Sequence, residues 1–117
     1  MNSPPLWSLP EDLVQIRDED PDLIETILES FVEEMQKSLG ELNACIAEGD
    51  GATADRALHK FKGALLQIGA PSVAAECQEF RTALTTENPM QWRARQASIV
   101  NHCNRLLVEM GRTGQTR

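Results

Sequence analysis

The sequence predicts an all-α fold: an antiparallel up-down-up-down four-helix bundle with a short extra N-terminal helix. Three observations carry this. Apolar residues recur every three or four positions over long stretches, the period of one helix face, and no stretch alternates as a half-buried strand does. Clusters of Gly and Pro punctuate these stretches, which leaves only short connections between them. There is no Tyr and aromatics total 4%, so the core must be built from Leu, Ile, Val, Ala and Met, largely helix formers. The 117 residues suffice for one core and not for two.

Residues 1–8 read as an extended segment, and three of the six prolines fall within the first ten residues. A short helix is expected over 11–18. Pro10 precedes it, acidic residues occupy its first turn, and Leu9, Leu13 and Ile16 give it an apolar stripe. A long helix is expected over 21–48, with Asp20 as N-cap and Pro21 in the first turn. Its apolar positions are Leu23, Ile24, Ile27, Leu28, Phe31, Met35, Leu39, Leu42 and Ile46. Gly49-Asp50-Gly51 reads as the turn that ends it. The next helix is expected over 52–68 and is stopped by Gly69-Ala70-Pro71. Ser72 is expected to cap a third bundle helix that runs to about residue 84. After a loop over 85–89, a last helix is expected over 90–110, with Trp92, Ile99, Cys103, Leu106, Leu107 and Met110 turned inward. The bundle thus spans 9–111, and residues 112–117 read as a frayed tail.

A net charge of -7 argues against nucleic acid as a partner, because a phosphate backbone needs a basic face. No apolar run approaches the ~18 residues of a membrane span, so no membrane partner is expected. The first residues, MNSPPLWSLP, lack the basic and apolar regions of a signal peptide. Cys45, Cys77 and Cys103 form neither a CxxC nor a zinc-ligand spacing, so no metal site is expected and burial is their simplest fate. Free buried thiols fit a reducing, cytoplasmic location. His102 has too few potential ligands near it for a metal and reads as a structural or surface residue.

The chemistry concentrates in Leu58-His59-Lys60-Phe61-Lys62-Gly63-Ala64. Leu58, Phe61, Leu65 and Ile68 make the apolar stripe of this helix, and His59 lies about 100° round from Leu58, toward solvent. Lys62 and Gly63 stand three and four residues on, so they share its face. An exposed imidazole, titrating near pKa 6.5 in general, is a nucleophile at neutral pH and can take a phosphoryl group. A lysine one turn on can balance the phosphate oxygens, with Lys60 assisting from the flank. A glycine one turn on clears an approach path, and within a helix it costs about 1 kcal/mol relative to Ala.

This segment resembles the phosphoacceptor motif of histidine-containing phosphotransfer (HPt) domains of bacterial two-component phosphorelays. His59, Phe61, Lys62, Gly63 and Ala64, followed by Gly69 and Ala70, stand in the register of that motif. The long preceding helix with Phe31, the Glu48-Gly49-Asp50 turn, and Val73 followed by Cys77 are similar too. The sequence departs from the pattern at Leu58, where Ala is usual, and at Leu65 and Leu66, where small residues are common. It departs again at Arg81, where the family often has a Glu or Gln that orients the imidazole through Nδ1. Arginine cannot accept a hydrogen bond. Gln67 or Gln78 as a substitute, and Arg81 turned to the phosphate, are the alternatives this leaves.

The resemblance implies a phosphorelay intermediate rather than an enzyme. His59 would exchange a phosphoryl group with the aspartate of a response-regulator receiver domain, belonging to a hybrid histidine kinase, a downstream regulator or both. The receiver would supply Mg²⁺ and most catalytic groups, so no cofactor is expected on this chain. Gly63 and Ala64 would give clearance, and Leu66, Gln67 and Arg81 would border the docking surface. A monomer is expected. The alternative is a non-catalytic helical adaptor that binds a receiver without phosphotransfer.

Overall fold

The computed structural model describes residues 4–112. They form five helices and no strand: α1 Glu11–Glu19, α2 Pro21–Glu48, α3 Gly51–Ile68, α4 Pro71–Ala83 and α5 Pro89–Glu109. The all-α expectation therefore holds. α2 packs on α3, α3 on α4, α4 on α5, and α5 back on α2, so the four long helices close a ring around one core. Pairings between neighbours run antiparallel, as in Lys60 with Glu34, Lys62 with Gln78, His102 with Glu76, and Gln96 with Asn43. α1 packs on α2 at the end of the bundle where α3 finishes.

Helix ends follow local chemistry. Asp20 caps α2 by accepting from the Leu23 amide at 3.1 Å, with Pro21 in the first turn. Gly49 closes α2 at φ 69°, a left-handed conformation that glycine adopts without steric cost. Asp50 then caps α3 through the Thr53 amide. One expected cap fails. Ser72 lies inside α4, because Pro71 already stands in the first turn and Ala70 occupies the cap position with no side-chain hydrogen bond. Pro has no N–H to satisfy, so the helix starts there with one orphan donor fewer. At α5 a stronger device than expected appears. Asn88 and Gln91 form a reciprocal capping box across Pro89.

The expected apolar stripes are inside. Phe61, Met35, Leu42, Leu58, Leu65, Ile99 and Leu106 are almost fully buried, and so is Phe80 of α4, which belongs to none of the expected stripes. Cys45, Cys77 and Cys103 are free and buried. Leu23, expected on the apolar face of α2, is instead 45% exposed, one position before buried Ile24.

The N-terminal segment is pinned to the bundle end. The Leu6 and Trp7 amides donate to the Glu109 carboxylate, the Trp7 indole donates to the Ile68 carbonyl at 2.8 Å, and the Ser8 amide donates to the Gly69 carbonyl at 3.0 Å. Gly69 has φ 92°, and a Cβ there would lie 2.0 Å from the Ser8 carbonyl oxygen. Only glycine lets this strand of chain lie across the end of α3. At the C-terminal end, Arg112 is buried and paired with Glu25 and Glu29 of α2. Of the expected frayed tail, residues 113–117 lie outside the described residues, as do residues 1–3 of the N-terminal segment. No helix of the described residues is long and apolar enough to cross a membrane.

Candidate functional site

α3 is amphipathic, so its buried stripe fixes what faces outward. Ala57, Leu58, Phe61, Leu65 and Ile68 go into the core. His59 and Lys60, between Leu58 and Phe61, are left in solvent. Gly63, one turn from His59, is exposed, and a Cβ built on it would meet nothing within 4 Å. The fold itself therefore makes no use of the missing side chain. Two turns from His59, Leu66 is 53% exposed, a large apolar side chain left in water. Ala64 and Gln67 turn toward α2 and line an open groove of about 480 Å³ with Leu13, Ile27 and Phe31.

The two lysines diverge. Lys60 reaches α2, where its ammonium lies 3.1 Å from Glu34 Oε1. Lys62 reaches α4 and donates to Gln78 Oε1 at 2.9 Å. His59 stands between these two sides of α3. Its own partner is Arg81 of α4, with Arg81 Nη1 3.0 Å from His59 Nδ1. Arg81 is in turn held by Asp55 of α3, Nε to Oδ1 at 2.9 Å and Nη2 to Oδ2 at 3.4 Å. Arg81 Nη1 also donates to Gln78 Oε1 at 3.3 Å. The guanidinium hydrogen-bonded to Asp55 holds that carboxyl below its usual range, and Asp55 raises the guanidinium in return.

The structure thus brings His59, Lys62, Gln78 and Arg81 into one network. Lys60 lies in a separate pair, and Gln67 faces the groove rather than the imidazole. Arg81 meets the ring directly, and Gln78 accepts hydrogen bonds from Lys62 and Arg81 instead. Asp55 was not singled out from the sequence. Its signal was its spacing, four residues before His59 and so on the same helix face. Glu34 had a weaker signal, since only the packing of α2 on α3 carries it to Lys60. His102 behaves structurally: its Nδ1 lies 2.7 Å from Glu76 Oε1, and Ser98 also donates to Glu76, so the three tie α5 to α4.

Chemically, the site offers an exposed imidazole, an ammonium and a guanidinium within reach of it, and an open face one turn away. This suits a transient anionic group better than a buried substrate. A family model described as Hpt domain matches residues 26–110 of the chain. No curated protein and no solved structure matches it.

Proposed function

The chain belongs to the Hpt domain family, and from that premise we propose that His59 is the residue on which it carries a phosphoryl group. Hpt domains act in phosphorelays as histidine phosphocarriers rather than as catalysts, and they interact with receiver domains. The observation that carries the assignment is His59 exposed on α3 with Lys62 and an unobstructed Gly63 one turn along. His102, the second histidine, is held by Glu76 and has no such neighbours.

In this reading a receiver domain docks over α3, with Leu66 and the groove lined by Ala64 and Gln67 giving it apolar contact. The lone pair of His59 Nε2 attacks phosphorus of the receiver's aspartyl phosphate in line. The N–P bond forms as the P–O bond to the aspartate breaks, and the electron pair leaves on its carboxylate. The divalent cation and the main catalytic groups belong to the receiver. Lys62 turns from Gln78 to the phosphoryl oxygens, and Lys60 adds positive field from the other flank. Hybrid kinases and downstream regulators both offer such receivers. The reaction is reversible, so the chain accepts and donates at one nitrogen.

The test is incubation with a phosphorylated receiver domain. The wild type should gain acid-labile, base-stable label, and His59→Gln should gain none. No label on the wild type would refute the carrier reading, and equal label on the variant would refute the assignment of His59. A second reading, an adaptor that binds a receiver without phosphotransfer, is favoured by one observation: Arg81 occupies an imidazole nitrogen. Binding without label would establish it.

A further inference from the structure

An arginine in contact with the imidazole has a consequence for where the ring keeps its proton. A guanidinium has five N–H donors and no acceptor. At 3.0 Å from Arg81 Nη1, His59 Nδ1 must therefore be the acceptor. A neutral imidazole has one proton, and it must then sit on Nε2. Nε2 of the exposed His59 makes no hydrogen bond among the described residues, and as an N–H it has no lone pair to give. The family pattern, with a Glu or Gln accepting from Nδ1–H, would leave the lone pair on Nε2 instead.

Resting on the reading of His59 as phosphoacceptor, we propose that Arg81, anchored by Asp55, is a positioning residue that gates it. The pair holds the ring in the tautomer that cannot attack, and it caps the ring once phosphorylated.

Arg81 is well placed to hold this state. Both Asp55 oxygens take its Nε and Nη2, and its side chain is only 22% exposed. It can also let go without leaving Nη1 unpaired, because Gln78 Oε1 already accepts from the same nitrogen. Attack through Nε2 needs the ring proton on Nδ1, where it would face the Arg81 N–H, donor against donor. Arg81 must therefore withdraw first. An incoming phosphoryl dianion offers the guanidinium a bidentate acceptor and so favours that withdrawal. Attack then gives a ring with Nδ1–H and an N–P bond, and the Nδ1 proton passes to solvent. The neutral phosphorylated ring again has its lone pair on Nδ1, free to accept from Arg81. When the N–P bond breaks, its electron pair stays on Nε2 and the phosphorus passes to water or a carboxylate. With Nδ1 protonated the leaving group is a neutral imidazole. With Nδ1 capped by Arg81 it would be an imidazolate, a far poorer one. The gate therefore slows both gain and loss of the group.

The test uses the full chain and needs no receiver. Long-range ¹⁵N–¹H spectra of the unphosphorylated wild type should show a protonated Nε2 and an unprotonated Nδ1 on His59. Arg81→Glu, which can only accept, should move the proton to Nδ1. A wild type with Nδ1 protonated, or with the same tautomer ratio as Arg81→Ala, would overturn the proposal. In a second arm, phosphoramidate loads His59 and ³¹P NMR follows the loss of label. Arg81→Gln should lose it about fivefold faster than wild type, the worth of one hydrogen bond of ordinary net strength. Equal rates would overturn the cap. A clamped tautomer and slow loss in a chain that takes no label from any receiver would refute the proposed function and leave the gate standing. Transfer from a receiver with an unclamped ring would do the reverse.

Discussion

Gly63→Ala should make the protein more stable and a poorer phosphoryl acceptor. Gly63 lies inside α3 with no left-handed backbone, and the Cβ of an alanine would meet nothing within 4 Å. The substitution therefore recovers the helix propensity lost to glycine, about 0.8–1 kcal/mol, without any clash. For a domain of this size that is a rise in Tm of about 4 °C. On the same face, one turn from His59, the new methyl stands where the proposed docking would bring a receiver close. A methyl forced into a packed interface costs about 1–3 kcal/mol. Each 1.4 kcal/mol is about tenfold in an equilibrium constant, so transfer from a phosphorylated receiver should slow about tenfold. Gly40→Ala is the control. Gly40 is also within a helix, α2, and a Cβ there also meets nothing within 4 Å. It should gain the same stability and transfer at the wild-type rate. Calorimetry and a timed label-transfer assay on the two variants read both quantities. If Gly63→Ala transfers as fast as Gly40→Ala, the open face at Gly63 is not an approach path. If it melts below the wild type, the helical geometry assigned to it is wrong.

Other substitutions and conditions probe the frame around the site. Gly69→Ala should destabilise by ~2 kcal/mol or more, because it strains a φ of 92° and drives a Cβ against the Ser8 carbonyl; denaturant melts check this, and a neutral result would refute the close approach. Asp50, Asp55 and Glu87 have carboxyls held below their usual range, by Thr53, Arg81 and Arg95 respectively. Their contribution is present above the unfolded carboxylate values, about 3.9–4.3, and is lost as pH falls through the depressed folded ones. Stability should therefore drop below about pH 4, and Asp50→Asn, Asp55→Asn and Glu87→Gln together should flatten that drop in urea melts taken from pH 7 to 2.5. Burial pushes the thiols of Cys77 and Cys103 up to about 12. A thiol reagent at pH 8 should leave both unmodified in the native protein and label them in denaturant; rapid native labelling of either would contradict their burial.

The sequence by itself determined the helical architecture, because the signals for it are local. The 3–4 spacing of apolar residues in α2 and α3, and punctuation at Gly49-Asp50-Gly51 and Gly69-Ala70-Pro71, depend only on neighbours along the chain. The same locality put His59, Lys62 and Gly63 on one face of α3, outside the stripe of Leu58, Phe61 and Leu65. Even the miss at Ser72 was local, a contest between a serine cap and Pro71 that the proline won. Partners from other helices were not legible in this way. Which side chains of α2 and α4 meet the face of α3 depends on helix rotation and axial offset, and these are set by the whole core at once. Tertiary packing alone sent Lys60 to Glu34 and Lys62 to Gln78, and joined Asp55 to Arg81. It also brought Arg81 to His59 Nδ1 at 3.0 Å. Sequence register marked Arg81 as a departure from the family pattern. Its contact with the ring, and hence which nitrogen holds the proton, follows from the packing of α4 on α3.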